Sequence, residues 1–181
     1  WYRRKIDLPE LVDDQRLILH FDAVDWMCAC FVNGKLAGTH TGGYLPFSFD
    51  ITDLLGLVEA EGVAESAAEV ATAAKVADAA KSGTTAELVL CVWDPSDAGS
   101  QLRGKQRLSR GDIWYTAQSG IWQSVWYEVV SAAHLESLTL KGDMYGVLEV
   151  KTNVQVSGQA SLQSEALELE LALKDELGQD V

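Results

Sequence analysis

The stretch HTGGYLPFSFDIT, residues 40–52, decides how the chain is read. Two adjacent glycines meet an aromatic and a proline, and an alternating run then ends in Asp-Ile-Thr. A phosphate-cradling loop would feed its glycines into a helix N-terminus. Here Gly42 and Gly43 lead through Tyr44-Leu45-Pro46 into strand-like residues, and no Gly-Lys-Ser/Thr follows. A G-x-S-x-G nucleophile elbow is absent too. The physical reading is a corner between strands. The glycines permit positive φ, Pro46 fixes the re-entry, and Phe47 and Phe49 are expected to bury. Asp50 and Thr52 can then bond local backbone groups at the strand end.

Strand signals extend from this corner in both directions. Upstream lie residues 1–6, RLILHF (16–21) and WMCACFV (26–32). Asn33-Gly34, the strongest short hairpin signal, turns the last of these into KLAGTH (35–40). Downstream come ELVLCVW (87–93), IWQSVWYEVV (121–130), LESLTL (135–140), GVLEVKTNVQV (146–156) and ALELELAL (166–173). Many short strands separated by turn residues predict an antiparallel sandwich. Trp93, Trp122 and Trp126 fall inside strand patterns and are expected in the core.

Two segments depart from this pattern. Residues 57–86 are alanine-rich and lack aromatics. Ser66-Ala-Ala-Glu69 is a capping box, Val63, Ala67, Val70, Ala74 and Ala77 form one stripe, and Gly83 is a stop. Together they predict a surface helix over about 67–81. From residue 141 onward Trp, Phe and Cys disappear and alternation becomes strict. Leu148, Val150 and Thr152 share one face with Val154 and Val156, while Leu167, Leu169, Leu171 and Leu173 oppose Glu168 and Glu170. This reads as half-buried strands beginning a second, more polar domain over 137–181, after a first domain over 1–136.

The 181 residues carry a formal charge of −13 and are 48% hydrophobic. That composition is globular. A polyanion or an anionic membrane surface would be repelled, so nucleic acid and membrane are excluded as expected partners. No apolar run reaches the length of a transmembrane helix. Cys28, Cys30 and Cys91 lack zinc or disulfide spacing and read as buried apolar residues, which favours a reducing, cytoplasmic setting. The chain starts at Trp1, which reads as a cut boundary, so the missing signal peptide leaves the location open. His20, His40 and His134 occur singly, without HxH or HExxH spacing; no metal and no cofactor are expected. His40 has two readings, a bond across the corner or a ligand-facing donor.

The order HFDAVDWMCACFVNGKLAGTHTGGYLPFSFDIT, then VWDP, RGKQ and IWYTAQSGIWQSVWYE, resembles the N-terminal sugar-binding domain of glycoside hydrolase family 2. That family includes bacterial β-galactosidases and β-glucuronidases. The resemblance covers residues 1 to about 130, and the part from 141 looks like the first strands of the family's immunoglobulin-like second domain. The Ala-rich insert departs from the usual short connection. The resemblance implies a jelly-roll sandwich of the galactose-binding type. It also implies a parent enzyme that hydrolyses terminal β-glycosides with retention, using two glutamates on a TIM barrel. A barrel needs roughly 200 residues or more, and the family's Asn-Glu pair is absent, since Asn33 and Asn153 precede Gly and Val. No catalytic residue is therefore assigned.

Sugars are held by planar hydrogen-bond networks and by aromatic faces under their C–H patches. In the polar loop KQRLSRGDIWYTAQSGIW (105–122), Lys105, Gln106, Asp112, Trp114 and Tyr115 have that chemistry, and His40 joins them. In some family members an Asp shortly before the Ser/Ala-Gly-Ile motif reaches the barrel's sugar pocket. Asp112 resembles it but lies two residues further from Gly120; without a gap Trp114 takes its place. The alternative is a structural loop packed against the barrel. Two other classes remain beside the glycosidase reading: a non-catalytic carbohydrate-binding module, and a protein-interaction sandwich. The half-built second domain favours the glycosidase fragment, and its open edge would support homo-oligomer formation.

Overall fold

A computed structural model of the chain describes residues 1–12, 14–56, 85–157, 168–174 and 179. The chain divides into two compact units, Trp1–Ser131 and Ala132–Val181. The first contains eleven strands among its described residues: β1 (Tyr2–Asp7), β2 (Gln15–Phe21), β3 (Val24–Asp25), β4 (Met27–Val32), β5 (Lys35–Thr41), β6 (Phe47–Asp50), β7 (Thr85–Trp93), β8 (Gln106–Arg107), β9 (Tyr115–Thr116), β10 (Gly120–Ile121) and β11 (Val125–Ser131). One sheet runs β1-β7-β4-β5 and another β11-β2-β6, both antiparallel. The short pairs β3-β10 and β8-β9 complete the set.

The core follows from period-two alternation. Leu17, Leu19 and Phe21 of β2 point inward to meet Cys28, Cys30 and Val32 of β4 and Ala86 and Leu90 of β7. Phe47 and Phe49 of β6 pack against this cluster while remaining half-buried. The result is the expected all-β sandwich. Burial pushes the Cys28 thiol up to about 11 and the Cys30 thiol up to about 12. Both are thus held as inert thiols, since the thiolate is the reactive form.

Local sequence explains the connections. Asn33 and Gly34 adopt φ of 50° and 74°, so the hairpin turns where the sequence indicates. Asn33 also ties the turn to its surroundings: its side chain donates to Leu54 O at 3.1 Å and accepts from the Glu87 N–H at 2.9 Å. At the end of β6, Asp50 Oδ1 accepts from both the Thr52 N–H and hydroxyl, and Thr52 Oγ1 accepts from Leu17 N.

Three expectations need correction. Trp93, Trp122 and Trp126 are 58%, 53% and 44% exposed, so they are not core residues. Trp93 has odd parity on β7, where even positions point inward, and Trp126 pairs with His20 on the outer face of β2. Trp122 and Trp126 find polar partners instead. Trp126 stacks on His20 at 4.0 Å and donates to Asp22. The long run 121–130 is also two elements, broken at Trp122–Ser124, where Ser124 O accepts from the Asp22 N–H.

The second unit contains β12 (Ala133–Gly142) and β13 (Leu148–Val156), an antiparallel ribbon joined through the expected turn and carrying a bulge between Leu135 and Ser137. The strand expected over 166–173 does not form across its described part: residues 168–173 are outside any strand, and Leu169, Leu171 and Leu173 are more than half exposed. Alternation specifies a strand only when a neighbour takes its ladder bonds and its apolar face. The helix expected over 67–81 lies outside the described residues.

Candidate functional site

The Gly-Gly corner builds one wall of a cleft in the first unit. Gly42 has φ of 131° and donates its N–H to Trp26 O at 2.9 Å. Gly43 is required for a different reason: a Cβ there would lie 2.5 Å from Asp25 Oδ1. His40 locks the corner. Its Nε2 lies 3.1 Å from Gly42 O, and its ring stacks on Phe47 at 3.9 Å. Trp122 closes the corner from the other side, donating its indole N–H to Gly43 O at 2.7 Å and meeting Tyr44 edge-on.

The opposite wall comes from the loop before β11. Gln106 Oε1 accepts from the Gln118 N–H, and the Ser119 hydroxyl donates to Asp94 Oδ2. Gly104 lies so near Tyr44 that a Cβ would be 3.0 Å from its hydroxyl. Between the walls is a cleft of about 600 Å³, lined by Asp25, Tyr44, Gly104, Gln106, Gln118, Ser119, Gly120, Ile121 and Trp122. A shallower recess of about 430 Å³ adjoins it, sharing Gly104, Gln106 and Gln118 and adding Tyr115 and Thr116.

Of the residues singled out in the sequence, Gln106 and Tyr115 line this region. Asp112, Trp114 and Lys105 do not. Asp112 sits at the tip of a tight turn with φ of 51°, closed by Trp114 N–H to Gly111 O at 3.0 Å. Trp114 is covered by the Arg107 guanidinium, 3.7 Å from its ring. Lys105 is exposed and uses its carbonyl to accept from Tyr115 N. His40 supports the corner from behind.

The sequence reading missed Asp25, Tyr44, Asp94, Gln118 and Ser119, and it placed Trp122 in the core. A signal for Asp25 existed, since a charged residue inside the otherwise apolar run AVDWMC calls for an explanation. Burial, and then the charge of Asp94, raise the Asp25 carboxyl above its ordinary range. Burial followed by Asp25 and Asp94 likewise raises Tyr44, keeping it a hydroxyl. Chemically, the cleft offers a carboxylate acceptor, two side-chain amides, a phenol and an aromatic edge. It is equipped to bind by hydrogen bonding and C–H contact.

The chain is 38% identical over 55 residues to a beta-galactosidase of Thermoanaerobacter pseudethanolicus, a match covering 30% of this chain and 7% of that protein. It is 45% identical over 49 residues to a beta-glucuronidase of Bacteroides fragilis, covering 27% of this chain and 7% of that one. A solved β-glucuronidase from Ruminococcus gnavus, in complex with uronic deoxynojirimycin, superposes with a TM-score of 0.61 at 17% identity, covering 100% of this chain and 27% of that chain. A putative β-galactosidase from Bacteroides fragilis gives 0.53 at 21%, covering 86% and 20%. The chain thus corresponds to a minor part of each relative's length, and these structures share its fold. Residues 1–127 match the family described as glycosyl hydrolases family 2, sugar binding domain; the chain belongs to that family.

Proposed function

We propose that this chain is the accessory sugar-binding domain of a family 2 retaining β-glycosidase, of the β-galactosidase or β-glucuronidase type. Hydrolysis of terminal β-glycosides would take place on a TIM barrel outside these residues. The observation that carries this reading is the cleft between the Gly-Gly corner and the 104–122 loop, where hydrogen-bonding groups converge beside Tyr44 and Trp122. In this reading Gln106 and Tyr115 meet the sugar from the wall. Lys105, Asp112 and Trp114 form the rim that closes on it, and His40 fixes the corner. Domain boundaries of 1–136 for the jelly roll and 137–181 for the start of an immunoglobulin-like sandwich accompany the proposal, supported by the division at Ser131.

The test uses the full-length protein containing this chain, assayed on aryl β-galactoside and β-glucuronide. Gln106→Ala, Asp112→Ala and Trp114→Ala are compared at equal thermal stability. One lost hydrogen bond to sugar corresponds to about 1–3 kcal/mol of transition-state binding. A fall of that size in kcat/KM for Gln106→Ala, with smaller falls for the rim variants, supports a recognition role. Unchanged kinetics in all three would return the loop to a purely structural one.

A further inference from the structure

Asp25 is the one buried charged side chain among the described residues, at 9% exposure, and it lines the cleft. It has no hydrogen-bond or ion-pair partner among the described residues, and its oxygens open onto the cleft rather than being sealed within the fold. Burying a carboxylate is unfavourable unless donors reach it. The nearby groups leave it unserved. Ser119 gives its hydroxyl to Asp94, and Trp122 gives its indole N–H to Gly43 O. No cation lines the cleft. Arg103 donates to Asp97 O, Arg107 lies over Trp114, and Lys105 is exposed between two lining residues without lining the cleft itself. Asp94 adds a second negative charge, close enough to raise Asp25 further.

A ligand that fits must bring hydrogen-bond donors to Asp25 and present C–H surface to Tyr44 and Trp122. It must carry no negative charge facing the two aspartates. We propose that Asp25 is a specificity-determining residue: its carboxylate accepts hydrogen bonds from the hydroxyls of an uncharged sugar and, with Asp94 behind it, excludes sugars that carry a carboxylate. The proposal rests on the glycosidase reading above. Within that reading it selects neutral β-glycosides over β-glucuronides.

The experiment measures kcat and KM of the full-length protein on aryl β-galactoside and β-glucuronide, for wild type, Asp25→Asn and Asp94→Asn. Melting-temperature shifts with galactose and galacturonate, which differ at C6, give a second readout independent of turnover. Wild type should prefer the neutral substrate by about 100-fold or more, and only galactose should raise its melting temperature; two like charges across a partly buried cleft support a discrimination of that order. Each variant should narrow the preference by about tenfold, through a lower KM for the glucuronide. Asp94→Asn carries the test if Asp25→Asn fails to fold. A wild-type preference for the glucuronide, or a ratio unmoved in the variants while hydrolysis persists, overturns the specificity assignment and leaves the glycosidase reading standing. Absence of both turnover and sugar-dependent stabilisation overturns the two together.

Discussion

Asp50 and Asp25 belong to the same sandwich and are treated in opposite ways. Asp50 lies at the end of β6 in a network of donors: Thr52 supplies two bonds to one oxygen, and Arg16 Nε supplies a 2.8 Å bond to the other. Burial alone would raise this carboxyl, but the Thr52 and Arg16 hydrogen bonds outweigh it and hold it below the ordinary range. Asp25 is more buried and has neither donor nor cation, so burial prevails and its carboxyl is raised. One aspartate is satisfied by its own fold. The other is left for something the fold does not contain. This contrast separates a structural acid from a candidate recognition acid better than residue type or exposure does.

Breaking the satisfied end should have the largest effect. Arg16→Met leaves Asp50 half-buried without its cation and releases Asp53, whose pairing counts for little because it is mostly exposed. Loss of a charge-assisted hydrogen bond to a partly buried carboxylate should cost about 2 kcal/mol, read by urea denaturation at pH 7. The sign of the pH dependence is fixed. A carboxyl whose folded pKa is depressed contributes stability above its unfolded value of about 3.9 and loses it as pH falls through the folded value. The gap between variant and wild type should therefore close in acid. A gap independent of pH would remove Asp50 from the account.

Thr52→Val should have a smaller effect, about 1–2 kcal/mol, because it deletes the acceptor for the Leu17 N–H and the hydroxyl bond to Asp50 while preserving shape. The double variant with Arg16→Met should be less destabilising than the sum, since both act on one carboxylate. Strict additivity in a double-mutant cycle would show that the two ends of Asp50 are independent.

The satisfied end was legible in the sequence and the open end was not. Asp50 and Thr52 share bonds two residues apart at a strand end, and Asn33 turns its hairpin through its own positive φ, so these roles follow from residue type and position. The inward faces of β2 and β4 were legible for the same reason, because alternation is a local signal. The cleft is assembled from Asp25, Tyr44, Gln106, Gln118 and Ser119, which meet only after β3 pairs with β10 and the 104–122 loop folds back on the corner. No spacing rule encodes that meeting. The exposed tryptophans mislead for a related reason. A strand pattern announces two faces, and parity against the neighbouring strands decides which face a ring occupies. The Leu-Glu alternation of 168–173 misleads as well, since a pattern suited to a sheet lies outside any strand there.

The smallest expected effect has the opposite sign. Asp25→Asn removes a buried charge that nothing in the fold compensates, while the amide retains the side chain's shape and an acceptor oxygen. It should stabilise the chain at pH 7 by about 1 kcal/mol, which for this length corresponds to a rise of roughly 2–4 °C in melting temperature. The linkage runs opposite to that of Asp50. A carboxyl whose folded pKa is raised binds its proton more tightly in the fold, so its favourable contribution is present at low pH and is lost as pH rises through the folded value. The variant's advantage should therefore grow between acid and neutral pH and vanish where both side chains are uncharged, as differential scanning calorimetry across that range would register. The same substitution is also expected to weaken sugar discrimination. A residue whose removal strengthens the fold while impairing selection is retained for binding. A destabilised Asp25→Asn at neutral pH would instead make Asp25 a structural acid of the same kind as Asp50, and the comparison would collapse.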